Sequence, residues 1–311
     1  MATVNLVDLT RRPVSIAADA HVVVAVVRNE ILRLPFFISY YRDKGFDTFV
    51  FIDNESTDGT RDFLVAQPDA VVLGVSQDYA ASRHGLTWTN AVLNQLCVGR
   101  WVLVVDADEQ LVWPNSEHET IVDLTRRLDA AGAEALFTIL LDMYSDRPFG
   151  EIGYEPGAPF IEFSRFFDAT YRMTRANIFP HRQLYGGVRM RAFSMVPDER
   201  VSPPTASKVP LVKWRQGQSF VLSTHGLQMP MPLAAMRGAL LHFKMFDDLV
   251  EKCHVEVERG QHFAGGREYR LLGAAIDRLP GRTFHDPEIS RQYADTAGLT
   301  SLGILNARAP F

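Results

Sequence analysis

Residues 101–109 read WVLVVDADE, an apolar and largely β-branched run that stops abruptly at Asp106, Ala107, Asp108 and Glu109. Five apolar residues are too few for a buried helix and suit a strand covered on both faces. In an open parallel sheet, ligands bind beyond the carboxyl ends of the strands, so an acidic strand end is a place to look for chemistry. Two carboxylates in alternation, Asp106 and Asp108, can both reach a hard divalent cation, which takes oxygen ligands and leaves positions open for substrate phosphates. An acidic solvated turn has the same composition, so the segment must be weighed with its surroundings.

Upstream, His21–Val27 is another apolar β-branched run, followed at once by Arg28, Asn29 and Glu30. Phe37, Ile38 and Tyr41 then fall at helical spacing, with Pro35 acceptable near a first turn and Gly45 as a stop. Residues 48–52 predict a second strand, 53–59 a turn-rich loop, 60–66 a short helix, 71–75 a third strand and 89–96 a longer helix. Strands alternating with helices imply right-handed βαβ units, hence an α/β fold with a mostly parallel central sheet flanked by helices. Residues 136–141 predict a further strand, after which the chain reads as irregular and aromatic-rich to about residue 232. Helical character returns over 245–258 and 268–276. The reading is one continuous domain with an α/β half, residues 1–145, and a second half, residues 146–311, ending in helices. No internal repeat or low-complexity segment interrupts it.

A net charge of −5 argues against a protein that gathers nucleic acid over its surface, and no run of Lys or Arg stands out. The two cysteines, Cys97 and Cys253, lie far apart and outside any CxxC pattern, so they read as buried or free thiols. The N-terminal segment lacks the basic and apolar regions of a signal peptide. No stretch approaches the ~20 apolar residues that cross a bilayer. The expectation is a cytoplasmic protein with no transmembrane segment.

The loop DNESTDGT, residues 53–60, offers Asp53, Asn54 and Asp58 as acceptors for a base or ribose, while Thr57 or Asp58 also suits a helix N-cap. Neither GxGxxG nor GxxxxGK[ST] is present, which weakens the dinucleotide and P-loop readings of such a sheet. A nucleotide would have to be held by acidic and amide groups together with a metal, which fits a nucleoside diphosphate-sugar.

The stretches VVVAVVRNE at 22–30, VFIDNESTDGT at 50–60 and WVLVVDADE at 101–109 resemble, in this order and spacing, the family 2 glycosyltransferases of GT-A fold. RHGLTWTN at 83–90 is similar to a bacterial branch of that family. The resemblance implies that Arg28, Asn29, Glu30 and Asp53, with Asn54, line a nucleoside pocket and that Asp58 stabilises its loop. It further implies that Asp106 and Asp108, with Ala107 between them, meet the ribose, metal and diphosphate. The donor implied is a nucleotide-diphosphate sugar, of UDP type or similar, with Mn2+ or Mg2+ offsetting the charge that builds on the leaving diphosphate. The acceptor is a glycan, lipid-linked glycan or other hydroxyl compound, and the first and second halves become the nucleotide-sugar and acceptor sides.

Arg83 and His84 read either as cations meeting the diphosphate or as a surface basic pair. SKVPLVKW at 207–214, THG at 224–226 and LHFK at 241–244 also resemble the bacterial branch. There His242 suits a third metal ligand and Lys244 a diphosphate contact, although a His among apolar residues is also a common core group.

An inverting transfer needs a general base for the acceptor hydroxyl. The Glu-Asp type motif that family 2 enzymes use does not appear cleanly, leaving Asp142, Asp146, the Asp198–Glu199 pair and His225. Asp142 comes first because it directly follows an apolar strand and stands at the sheet edge of the acidic cluster. Phe160, Phe163, Phe166, Phe167, Tyr171 and Phe179, with Arg165, Arg172 and Arg175, suit either sugar stacking and acidic acceptors or the core. Two other classes share this chemistry. A sugar-nucleotide nucleotidyltransferase would show a Gly-rich basic loop near the first strand, which RNE lacks; an inactive nucleotide- or glycan-binding module is disfavoured by the intact Asp106 and Asp108.

Overall fold

The structure, a computed structural model, describes residues 4–174, 183–196 and 205–307. Among these residues nine strands form one sheet: β1 (Val7–Asp8), β2 (His21–Val27), β3 (Thr48–Asp53), β4 (Ala70–Gly74), β5 (Trp101–Val104), β6 (Glu109–Val112), β7 (Ala135–Asp142), β8 (Ser207–Lys213) and β9 (Leu233–His242). Their order across the sheet is β1-β4-β3-β2-β5-β8-β7-β9-β6. β2, β3, β4, β5, β7 and β9 run one way, and β1, β6 and β8 run against them. The helices are α1 (Leu34–Asp43), α2 (Thr60–Val65), α3 (Leu86–Leu96), α4 (Ile121–Ala130), α5 (Phe160–Phe163), α6 (Gly187–Ser194), α7 (Leu249–Arg259), α8 (Phe263–Ile276) and α9 (Thr296–Ser301). The fold is thus mixed α/β, with a large, mostly parallel sheet flanked by helices.

β2, β3 and β7 are buried almost throughout because both sheet faces are covered, which is why their sequences are apolar runs rather than alternations. α1 starts with Pro35 in its first turn and buries Leu34, Phe37, Ile38 and Tyr41. The Tyr41 and Tyr40 hydroxyls donate to the carbonyls of Glu109 (2.9 Å) and Leu111 (2.7 Å), which fastens this helix to β6 without leaving a buried hydroxyl unsatisfied.

Two strands lie where the sequence reading placed none: β8 falls in the stretch read as irregular, and β9 just beyond it. β8 sits mid-sheet, antiparallel to both β5 and β7, although it contains Pro210. Its register shifts between Lys208 and Leu211, and that irregularity removes the need for the backbone donor that proline lacks. β9 carries Gly238 where a Cβ would stand 3.0 Å from the Val112 carbonyl of β6, so any larger residue would push the two strands apart by a few tenths of an ångström. Through β8 and β9 the second half of the chain completes the sheet of the first.

From β2 the chain steps outward to β3 and β4, then returns to place β5 on the other side of β2. Where strand order reverses in this way, the loops after the two strands diverge and open a crevice at the carboxyl ends. Among the described residues no helix is long and apolar enough to cross a membrane.

Candidate functional site

A cavity of about 330 Å³ opens at this reversal between β2 and β5. Arg28 and Glu30 come from the β2 loop, Asn54 from the β3 loop, and Asp106, Ala107 and Asp108 from the turn after β5. Lys208, His225, His242 and Lys244 line it from the second half. α6, α7 and α8 close it with Arg189, Lys252, Glu256, Arg259, Glu268 and Tyr269. The strand ends, C-terminal helices and crevice therefore form one polar site.

The Asp106–Glu109 turn is organised from within. Glu109 is buried at the start of β6, accepts the Asp106 backbone N–H at 3.1 Å and pairs with the Lys208 ammonium. Lys208 also lies 3.3 Å from Asp106 Oδ2. Burial works against the ammonium, but Glu109 and Asp106 outweigh it and keep Lys208 charged. Asp106, with a side chain 65% exposed, faces the opening. The Phe243 N–H donates to the Asp108 carbonyl at 2.7 Å, tying the end of β9 to this turn.

A chain of charged groups runs behind it. His242 Nε2 is 3.4 Å from Asp108 Oδ2, and its Nδ1 is 2.6 Å from Asp142 Oδ1. The other Asp142 oxygen accepts from Arg189 Nε at 2.7 Å, and Arg189 also reaches Glu268 at 3.4 Å. Burial alone would lower the His242 pKa, yet Asp108 and Asp142 push it up to about 9. Burial would raise Asp108, yet His242 and, more remotely, Arg33 hold its carboxyl well below the usual range. Asp142 is lowered likewise, against burial, by Arg189 and His242.

Several singled-out residues support the site rather than line it. Asn29 adopts φ 55°, and its side-chain oxygen accepts the Thr57 N–H at 2.8 Å. Asp53 is fully buried, held by Arg61 at 2.6 Å and accepting the Ser56 N–H at 3.2 Å. Asp58 accepts N–H bonds from Ile31 (3.1 Å) and Thr60 (3.0 Å), joining the β2 and β3 loops. Arg83 is exposed and off the cavity wall, as is Asp146. Asp142 is also off the wall, both of its oxygens being engaged. Phe160 and Phe167 are core, while Phe163, Phe166 and Tyr171 pack against it; none lines the cavity. Arg165 and Arg172 are exposed. Arg175, Phe179, Asp198 and Glu199 lie outside the described residues.

The sequence reading missed Lys208, Arg189 and the helix-borne wall. A charged residue opening the apolar stretch 207–212 was the available signal for Lys208, since a buried lysine needs a partner. On α7, Lys252, Glu256 and Arg259 recur at i, i+4 and i+7, a polar stripe on one helix face. Left-handed backbone occurs at several non-glycine residues, of which Ser223 lines the cavity. Arg83 and His84 have φ 58° and 59° before Gly85, Leu222 and Ser223 have 52° and 62°, and Ala264 has 51°. Non-glycine residues in this region cost about 1–3 kcal/mol each and concentrate where side chains must be aimed.

Compared with known proteins, the chain matches no protein-family model and no curated protein sequence. Among the described residues, no three His, Cys, Asp or Glu side chains are gathered into a preformed metal cage. Of Asp106, Asp108 and His242, the latter two are brought together, while Asp106 leans on Lys208. That pair still suits a divalent ion: imidazole and carboxylate are ligands for Mn2+. With Nδ1 bound to Asp142, the His242 nitrogen facing Asp108 is Nε2, which would ligate a metal on releasing the proton that it shares with Asp108.

Proposed function

We propose that the chain is a metal-dependent glycosyltransferase of GT-A fold, resembling family 2, that moves a sugar from a UDP-type nucleotide donor to a hydroxyl of a glycan or lipid-linked glycan. The observation that carries this reading is the meeting of Asp106 and Asp108 with Arg28 and Glu30 in one crevice, at the strand-order reversal between β2 and β5. Mn2+ or Mg2+ held by Asp108 and His242 would offset charge on the leaving diphosphate.

In this reading Asn54 stands beside the nucleoside, its amide fixed by donating to the Val75 carbonyl at 3.1 Å and accepting from Arg259 at 3.3 Å. Arg189, Lys208, Lys244, Lys252 and Arg259 together supply positive charge to the cavity wall, where a diphosphate anion is stabilised. α7 and α8 wall the cavity, and charges shielded there from bulk solvent act more strongly on a bound group. Asp142 and Arg189 orient His242 from behind.

The test is thermal denaturation with UDP, GDP, CDP, ADP and dTDP, each with and without Mn2+. A ligand at 100 times its Kd stabilises the native state by about 2.7 kcal/mol. The expected outcome is stabilisation by a uracil nucleotide that depends on Mn2+. No response to any nucleotide overturns the assignment.

A further inference from the structure

The transfer requires a group to take the acceptor proton. We propose that His225 is that base, a neutral imidazole whose Nε2 receives the proton, and that binding of the donor diphosphate arms it by neutralising Lys208 and Arg189. The proposal rests on the donor-site reading above.

The first support is elimination among the carboxylates of the cavity wall, each of which already has a cationic or imidazole partner. Glu30 pairs with Lys252 (3.0 Å), Asp106 with Lys208 (3.3 Å), Asp108 with His242 (3.4 Å), Glu256 with His262 (3.1 Å) and Glu268 with Lys244 (3.0 Å). Glu109 is buried against Lys208. Protonating a carboxylate so engaged gives up the attraction of its partner, which lowers its proton affinity and makes it a weaker base.

The second support is the tautomer. His225 Nδ1 lies 2.5 Å from the Ser207 carbonyl oxygen, which can only accept, so Nδ1 carries the hydrogen. Nε2 is then left with its lone pair, and among the described residues no group bonds to it. The ring lies on the cavity wall, at the end of a turn in which Leu222 and Ser223 both hold left-handed backbone. Strain of this kind persists where the surrounding fold fixes a side chain for use.

The third support is electrostatic. Burial, and then Lys208 and Arg189, reduce the proton affinity of the ring, with the Ser207 carbonyl and Asp106 opposing them, so that its pKa falls to about 4. His225 therefore stands neutral at neutral pH. A diphosphate lying against Lys208 and Arg189 cancels two of the influences that weaken it, and basicity returns as the donor arrives. In the step itself, the acceptor oxygen bonds to the anomeric carbon and its proton passes to Nε2. The bond from that carbon to the β-phosphate oxygen breaks, and its electron pair leaves with the nucleoside diphosphate. One displacement inverts the anomeric centre, and the imidazolium then returns its proton to water.

Two measurements on the full chain test this. In protein labelled with 15N-histidine, His225, assigned by its loss in His225→Gln, is expected to show a protonated Nδ1 and bare Nε2 at pH 7, and UDP with Mg2+ is expected to raise its pKa. A protonated Nε2, or a pKa unmoved by bound UDP, overturns the proposal. With water as acceptor and a panel of UDP-hexoses, His225→Gln is expected to release UDP about 10²–10⁴-fold more slowly. Its thermal midpoint shift with UDP and Mg2+ should match that of the wild type. UDP release within a few-fold of the wild type also overturns the proposal, whereas a wild-type chain that binds no UDP overturns the donor site itself.

Discussion

Asp142 and His242 are register partners on the parallel neighbours β7 and β9, and Asp142 Oδ1 lies 2.6 Å from His242 Nδ1. Each ends its strand, so one pairing register carries both side chains to the site. A one-residue slip would turn His242 to the opposite face and leave Asp142 and Arg189 as a separate pair. The relationship makes Asp142 a positioning residue and explains why its oxygens are not offered to the cavity.

Asp142→Asn keeps the shape of that contact but removes the negative charge between Arg189 and His242. Removing one partner of a buried ion pair costs about 3–5 kcal/mol, and under the proposed metal site loss of the carboxylate behind His242 would weaken Mn2+ binding about 10–100-fold. Urea unfolding and Mn2+ titration should show both. Unchanged stability would mean that Arg189 finds another partner.

Asp108→Ala should preserve the fold, because the Asp108 backbone carbonyl still accepts from Phe243. Its side chain supplies the oxygen facing His242 Nε2. Calorimetry should therefore show Mn2+-dependent UDP binding abolished; wild-type affinity in Mn2+ would remove the metal from this position.

Lys208→Met leaves Glu109 buried without its cation and should destabilise the chain by about 3–5 kcal/mol. Adding Glu109→Gln removes the stranded charge, so the double variant should recover most of that loss. Additive destabilisation in the double-mutant cycle would show that the two side chains are not coupled.

The His225 pKa falls from an ordinary 6.5 to about 4 in the folded chain. The unfolded chain therefore binds the proton first, and stability declines as pH drops from about 6.5 to about 4, with no contribution above that window. For a ring that is only half-buried we expect about 2 kcal/mol from this group. His225→Gln should flatten that part of the stability–pH curve; an identical slope in the variant would locate the titration elsewhere.

Gly266 lies at φ 76°, where a Cβ would approach the Glu256 carbonyl oxygen to 2.8 Å. Gly266→Ala must displace the junction between α7 and α8, which carry Arg259 and Glu268 into the cavity. The expected cost is about 1–3 kcal/mol together with weaker UDP binding. Wild-type values for both would show that the junction yields without strain.

The sequence by itself determined the α/β class, the strands that lead into Arg28, Asp53 and Asp106, and the candidate cluster at Asp106 and Asp108, because apolar runs and polar strand ends are local patterns. It placed strand 48–52 one residue short of Asp53 and read the β8 stretch as irregular, since Lys208 and Pro210 break the apolar signal that a mid-sheet strand otherwise gives. Tertiary structure alone decided which charges meet. Lys208 is 99 residues from Glu109, and Asp142 is 100 from His242, so each pairing depends on strand order and register rather than spacing along the chain. For the same reason Asp142 read as an open carboxylate and His225 as one candidate among several. Whether a side chain is spent on a neighbour or left with a lone pair is fixed only when the elements carrying its partners are packed around it.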